Sequence, residues 1–147
     1  MESATVLVTD RDMLELAQCL EERRRWPGPD QEVVQALQRK INRAEVLRSD
    51  AIPPDVITLN SVVRVTDLDD AANATHTLVM PARWSTARDA ISVLDPVGVA
   101  LLGRRQGDEI EVPLRSGPIR LKVEGVVYQP EAAAQASARQ RIQERNA

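Results

Sequence analysis

The spacing of the apolar residues changes at Pro53-Pro54, and that change limits the chain to an α+β fold. Before it, apolar residues recur every three or four positions; after it, they alternate. Met13, Leu16, Ala17 and Leu20, widened by Leu14 and Cys19, predict a helix from about Asp10 to Arg25. Thr9 is placed to cap it, with Asp12 at the capping-box position. Arg23, Arg24 and Arg25 suit the negative end of the helix dipole. Val33 or Val34, Leu37, Ile41, Ala44 and Leu47 predict a second helix from Gln31 to about Arg48, with Asp30 as its cap. Trp26-Pro27-Gly28-Pro29-Asp30 must separate the two, because proline lacks the N–H and clashes with the preceding turn. Two helices of similar length on a short loop predict an antiparallel hairpin, residues 1–52, preceded by the β-branched run Ala4 to Val8. Arms of about 16 residues would span about 24 Å.

Ser49 to Asp55 reads as a stiff, extended linker. Residues 53–130 then predict an antiparallel β-sheet domain with one short helix. Its strands are Val56 to Val65, with Asn60-Ser61 at a bulge or turn, then Thr75 to Met80, Glu109 to Leu114 and Ile119 to Tyr128. Thr66 to Ala74 and Trp84 to Ala90 are loops. The short helix follows a strand end at Ile91-Ser92. Asp95 serves as its N-cap, Pro96 occupies the first helical position and Gly103 stops it. Gly107-Asp108 punctuates a turn. Residues 131–147 form an Ala- and Arg-rich tail, helical or disordered, because little apolar area there offsets the ordering entropy.

Phenylalanine is absent, and Trp26, Trp84 and Tyr128 are the only aromatics, which disfavours base-stacking platforms. The formal charge is −3. No broad basic face is expected, and hence no sequence-specific nucleic-acid partner. A single cysteine, Cys19, excludes an internal disulfide and a cysteine zinc cluster, and reads as a small core residue. No basic leader and no apolar run of about 20 residues is visible, so the expectation is a cytoplasmic protein without a membrane span. The one histidine, His76, and the serines Ser61, Ser85 and Ser92 lack the spacing of a nucleophile–base pair or a metal site. No catalytic residue, metal or cofactor is expected.

Taken together, the runs Ile91-Ser-Val-Leu-Asp-Pro-Val-Gly-Val-Ala-Leu-Leu-Gly, Gly107-Asp108-Glu109 and Val126-Val-Tyr-Gln-Pro-Glu-Ala132 resemble the C-terminal domain of the Gre transcript-cleavage factors. Pro53-Pro-Asp-Val-Ile-Thr-Leu-Asn-Ser61 is similar to that family's entry into its first strand. The resemblance covers about Pro53 to Ala132 closely and the helical hairpin in layout. It implies an FKBP-like domain that docks on RNA polymerase at the rim of the secondary channel. Carried over residue by residue, the implied partner contacts are Ser92, Asp95, Pro96, Leu101 and Leu102. Read from the residues alone, Asp95 and Pro96 start a helix and the leucines fill a core.

Gre factors carry acidic residues at the hairpin tip that hold a magnesium ion in the polymerase, a role that needs two close carboxylates. The tip here offers Asp30 and Glu32, with Glu21 and Glu22 lower on the opposite arm. Asp30 also reads as a helix cap and Glu32 as a first-turn acid favoured by the dipole. Trp26 at the tip reads either as a partner anchor or, preferably, as a staple folded back on its own helices. The arms are far shorter than those of Gre factors. The expectation is a polymerase-binding regulator that competes with longer channel-binding factors without stimulating transcript cleavage. Alternatives are a cleavage factor acting through the tip acids, and an FKBP-like prolyl isomerase. The scarcity of aromatic side chains counts against the isomerase, since fold alone does not carry an activity.

Overall fold

The computed structural model describes residues 5–83 and 89–146. The expectations for the loop at 84–88, including Trp84 and Ser85, and for the chain ends at 1–4 and 147 lie outside these residues. Strand β1 (Leu7–Thr9) runs directly into helix α1 (Asp10–Arg25), as the apolar spacing predicts. Thr9 Oγ1 accepts from Asp12 N at 3.0 Å, so the N-cap forms. The capping box stays half made. The Asp12 carboxylate turns away and accepts from Leu59 N at 3.0 Å. Leu16 and Leu20 are buried, but Leu14 is 70% exposed and does not widen the stripe. Two positions from Leu16 on a 3.6-residue turn, it points to the opposite side. Cys19 is half-buried against the core, and burial raises its thiol pKa.

Helix α2 (Gln31–Arg43) ends earlier than the apolar spacing predicts. Ala44 turns extended, and Glu45–Leu47 becomes β2, parallel to β1 with Val8 opposite Val46. The β1 edge offers unpaired backbone groups, and a strand satisfies them where another helical turn would not. Leu47 thereby leaves the helical stripe and joins a small second cluster with Leu7, Ile52 and Val56. That cluster also anchors the segment read as a linker, since Ile52 is only 5% exposed.

The five-stranded sheet has the order β5-β4-β3-β7-β6, with β3 Val62–Asp67, β4 Asn73–Val79, β5 Ala90–Ser92, β6 Glu109–Val112 and β7 Ile119–Tyr128. It is mixed rather than purely antiparallel, because β4 and β5 pair in parallel. β3 starts at Val62, not Val56. Asn60 takes a positive φ of 68°, and Ser61 closes a turn on Thr58 through Ser61 N donating to Thr58 O at 3.0 Å. Helix α3 (Pro96–Leu101) lies between β5 and β6 in the chain, and α4 (Pro130–Asn146) follows β7. α4 buries no side chain, yet its start is held by polar bonds. Gln129 Nε2 donates to Pro53 O at 2.7 Å and Val56 O at 2.9 Å, and Thr58 Oγ1 donates to Glu131 Oε1 at 2.7 Å.

One core joins the helices to the sheet. Leu16, Leu20, Leu37 and Ile41 pack in the same cluster as Ile57, Leu59, Val63, Leu78, Leu101 and Val123. Each fully buried leucine of this set contributes about 2 kcal/mol by area removed from water. Only Glu21–Arg25, about 7.5 Å of helix, extends α1 past its last buried residue. No helix among the described residues is long and apolar enough to cross a membrane.

Candidate functional site

The chain turns sharply between β5 and α3. Ser92 Oγ accepts from Leu94 N at 3.0 Å, and Ser92 O accepts from Asp95 N at 2.9 Å. Asp95 is extended, with φ −87° and ψ 144°, and its Oδ1 accepts from Val97 N at 2.9 Å. Pro96 fills the first helical position, as the sequence indicates. Asp95 is exposed, Ser92 and Pro96 are half-buried, and Asp95 has no cationic partner among the described residues. These three side chains are therefore brought together at one accessible corner. Leu101 and Leu102 are not. At 0% and 1% exposure they are core residues that no docking partner reaches without unfolding α3. Leu101 lies on the buried face of α3, and Leu102, just past its end, packs into the same core.

Two devices missing from the sequence reading hold this corner rigid. Gly98 lets α3 sit directly on the preceding turn: a Cβ there would lie 1.9 Å from Ser92 O. At the other end of α3, Lys40 Nζ donates to Val99 O at 2.5 Å and to Ala100 O at 2.9 Å. The ammonium thus satisfies carbonyls that a helix C-terminus leaves unpaired. Burial, with the nearby Arg104 charge, pushes Lys40 down to about 7, while Asp108 works in the opposite direction. Its signal in the sequence is a lysine beside the apolar positions Leu37 and Ile41. The start of α3 and the adjoining face of α2 border one groove of about 1000 Å³, with Val33, Pro96, Ala100 and Leu114 among its walls.

Capping and charge at Asp95 are separable. Asp95→Ala is expected to cost about 1 kcal/mol through the lost cap, whereas Asp95→Asn keeps the cap and costs only a few tenths. Urea unfolding of both variants measures the difference.

At the loop between α1 and α2, Asp30 does not cap α2. Its backbone, φ −96° and ψ 29°, presents no side-chain cap bond. Its Oδ2 instead accepts from Arg23 Nη1 at 2.9 Å across the loop, and its buried Oδ1 has no hydrogen-bond partner. Arg23 wins because it brings a full charge to a half-buried carboxylate. Glu32 is exposed in the first turn of α2, and Glu21 pairs with Arg24. Trp26 is 78% exposed and does not fold back as a staple. Trp26→Ala should therefore change stability by no more than about 0.5 kcal/mol, which a thermal melt checks.

Residues 52–128 match the family described as "Transcription elongation factor, GreA/GreB, C-term". The chain is 37% identical over 134 residues to the Regulator of nucleoside diphosphate kinase of Escherichia coli, covering 90% of this chain and 96% of that protein. It is 32% identical over 84 residues to Transcription elongation factor GreA of Desulfovibrio desulfuricans, covering 57% of this chain and 52% of that one. It therefore spans about half the length of that GreA. Among solved structures, a prokaryotic transcription elongation factor GreA/GreB from Nitrosomonas europaea superposes with a TM-score of 0.68 at 36% identity, over 86% of this chain and all of that one. With the matched segment taking in the whole Asp95 corner and most of the sheet, the chain belongs to the GreA/GreB transcription elongation factor family.

Proposed function

We propose that the protein is a non-enzymatic transcription regulator that docks on RNA polymerase at the rim of the secondary channel, competes there with longer Gre-type factors and does not stimulate transcript cleavage. The sheet and α3 act as the FKBP-like docking body, residues 53–130, and α1–α2 as a stubby hairpin arm. The observation that carries this is the Asp95 corner. An exposed carboxylate without an ion-pair partner sits on a helix start that is braced from both ends. Such a group is preorganised for a cationic partner, because little side-chain or backbone freedom is lost on contact. Docking by Ser92, Asp95 and Pro96 alone is favoured over docking that includes Leu101 and Leu102, which are buried.

The length of the arm supports binding without cleavage. About 7.5 Å of α1 projects beyond its last buried residue, and Val33 and Val34 on α2 still pack against the core. At the tip, Asp30 is paired with Arg23, so recruiting it to a cation means giving up that ion pair.

The test is retention of the protein on core RNA polymerase, with a cleavage assay on a backtracked complex. Wild type and Trp26→Ala should bind at micromolar concentration; Asp95→Asn, which keeps its cap, should lose about tenfold in affinity. Absence of wild-type retention would overturn the docking reading. Robust cleavage lost in Asp30→Ala would overturn the reading of the arm and favour a cleavage factor.

A further inference from the structure

A second cleft, of about 450 Å³, opens between α2 and the segment that leads into β1. Arg39, Lys40, Arg43 and Arg104 line it with Thr5, Val6 and Ala36, and no acidic residue among the described residues does. Three arginines converge here, with Lys40 already bound to the Val99 and Ala100 carbonyls, in a chain whose net charge is −3. Arg39 and Arg43 stand one helical turn apart on α2, a like-charge spacing that destabilises a helix unless a counterion is present. The dipole of α2 accounts for cations in its last turn, but not for Arg104, which comes from the turn after α3. Arg39 and Arg43 make no ion pair among the described residues. Arg104 Nε is buried with no hydrogen-bond acceptor, and its ion-pair partner Asp108 Oδ2 stands at 3.4 Å. Burial chiefly, and the Arg104 charge after it, lower the Lys40 pKa.

We propose that this cleft binds a small oligophosphate anion, either free or as the phosphate tail of a nucleotide. Planar guanidinium forks match phosphate oxygens in pairs, and the Arg104 Nε–H, which has an ion-pair partner but no hydrogen-bond acceptor, gains a charge-assisted bond. Among the described residues the lining carries no aromatic ring, so the phosphates rather than a base are the recognised part. Asp95 does not line the cleft, which shares Ala36, Arg39 and Lys40 with the groove beside α3, and its test uses the isolated chain without polymerase.

Isothermal titration calorimetry of the full chain with pyrophosphate, tripolyphosphate, ATP and adenosine, at about 0.15 M salt, decides the matter. Tripolyphosphate and ATP should bind with Kd of about 1–100 µM, and adenosine should not bind. Equal affinity for the two assigns the site to a free phosphate chain; tighter ATP assigns it to a nucleotide. Arg39→Gln with Arg43→Gln, both exposed positions, should weaken binding at least about tenfold, while Arg24→Gln with Arg25→Gln should leave it unchanged. No heat with either phosphate at millimolar concentration overturns the proposal. So does equal weakening by the two double variants, which marks mere charge screening, or binding of adenosine as tight as that of ATP.

Discussion

Gly98→Ala is expected to be the most damaging conservative substitution in this chain. Alanine is normally the better helix former, by about 1 kcal/mol, so an exposed helical glycine would gain from the change. Here the new Cβ would fall 1.9 Å from Ser92 O and 2.9 Å from Ser92 C, both backbone atoms that no rotamer change moves. The turn must shift away from α3, breaking the Asp95 N to Ser92 O bond and loosening Val99, Leu101 and Leu102 in the core. A loss of about 3 kcal/mol or more follows, on the scale of core overpacking. For a chain of this size that lowers Tm by roughly 10 °C. Urea and thermal unfolding measure it; an unchanged melt would mean that α3 does not sit on Ser92. Because the same turn presents Asp95, polymerase retention should fall with stability in this variant, whereas Asp95→Asn should separate the two.

Asp12→Asn is expected to stabilise the protein at neutral pH and to remove a pH dependence. Asp12 is buried at 7% exposure. Burial raises its carboxyl pKa to about 7; the Leu59 N–H bond opposes this, and the charges of Glu131 and Glu15 add to it. In the unfolded chain the same carboxyl titrates near 3.8. Between these values the folded state binds more protons than the unfolded one, so stability falls as pH rises. The contribution is fully present below about pH 4 and is lost as pH passes through about 7. An asparagine carbonyl can still accept from Leu59 N, without a charge to desolvate. At pH 8 the variant should be more stable on the order of 1–4 kcal/mol. Melting from pH 5 to 8 should show the wild-type Tm falling relative to that of Asp12→Asn, since the buried Lys40 titrates in both proteins alike. Parallel curves for the two proteins would exclude Asp12 as the titrating group. Glu131→Gln should lower the carboxyl pKa in part, since it removes the like charge that Thr58 Oγ1 holds near this turn.

Much of the architecture could be read from local signals. α1, β7 and the Asp95-Pro96 start of α3 follow the residue pattern closely, because each depends on spacing and capping within a few residues. The Asp95 corner was legible for the same reason: an acidic cap before proline has one local use, and it leaves the side chain at the surface. Local signals failed where a distant segment competed for the same groups. Asp12 is a capping-box residue by spacing, but Leu59 N, 47 positions away, takes its carboxylate. Asp30 is a cap by spacing, but Arg23 pairs with it. Leu47 continues a helical stripe by spacing, but the edge of β1 draws it into a strand.

Residue order alone therefore settles the α+β class, the number of long helices before the sheet, and the cap at Asp95, because these follow from side-chain spacing and short-range hydrogen bonds. The packing of distant segments settles the rest. The helices share one core with the sheet, Lys40 and Gly98 hold α3 in place, and Leu101 and Leu102 end inside while Asp95 stays outside. Those outcomes depend on which groups meet across tens of residues, where desolvation, unpaired backbone groups and close contact outweigh local preference.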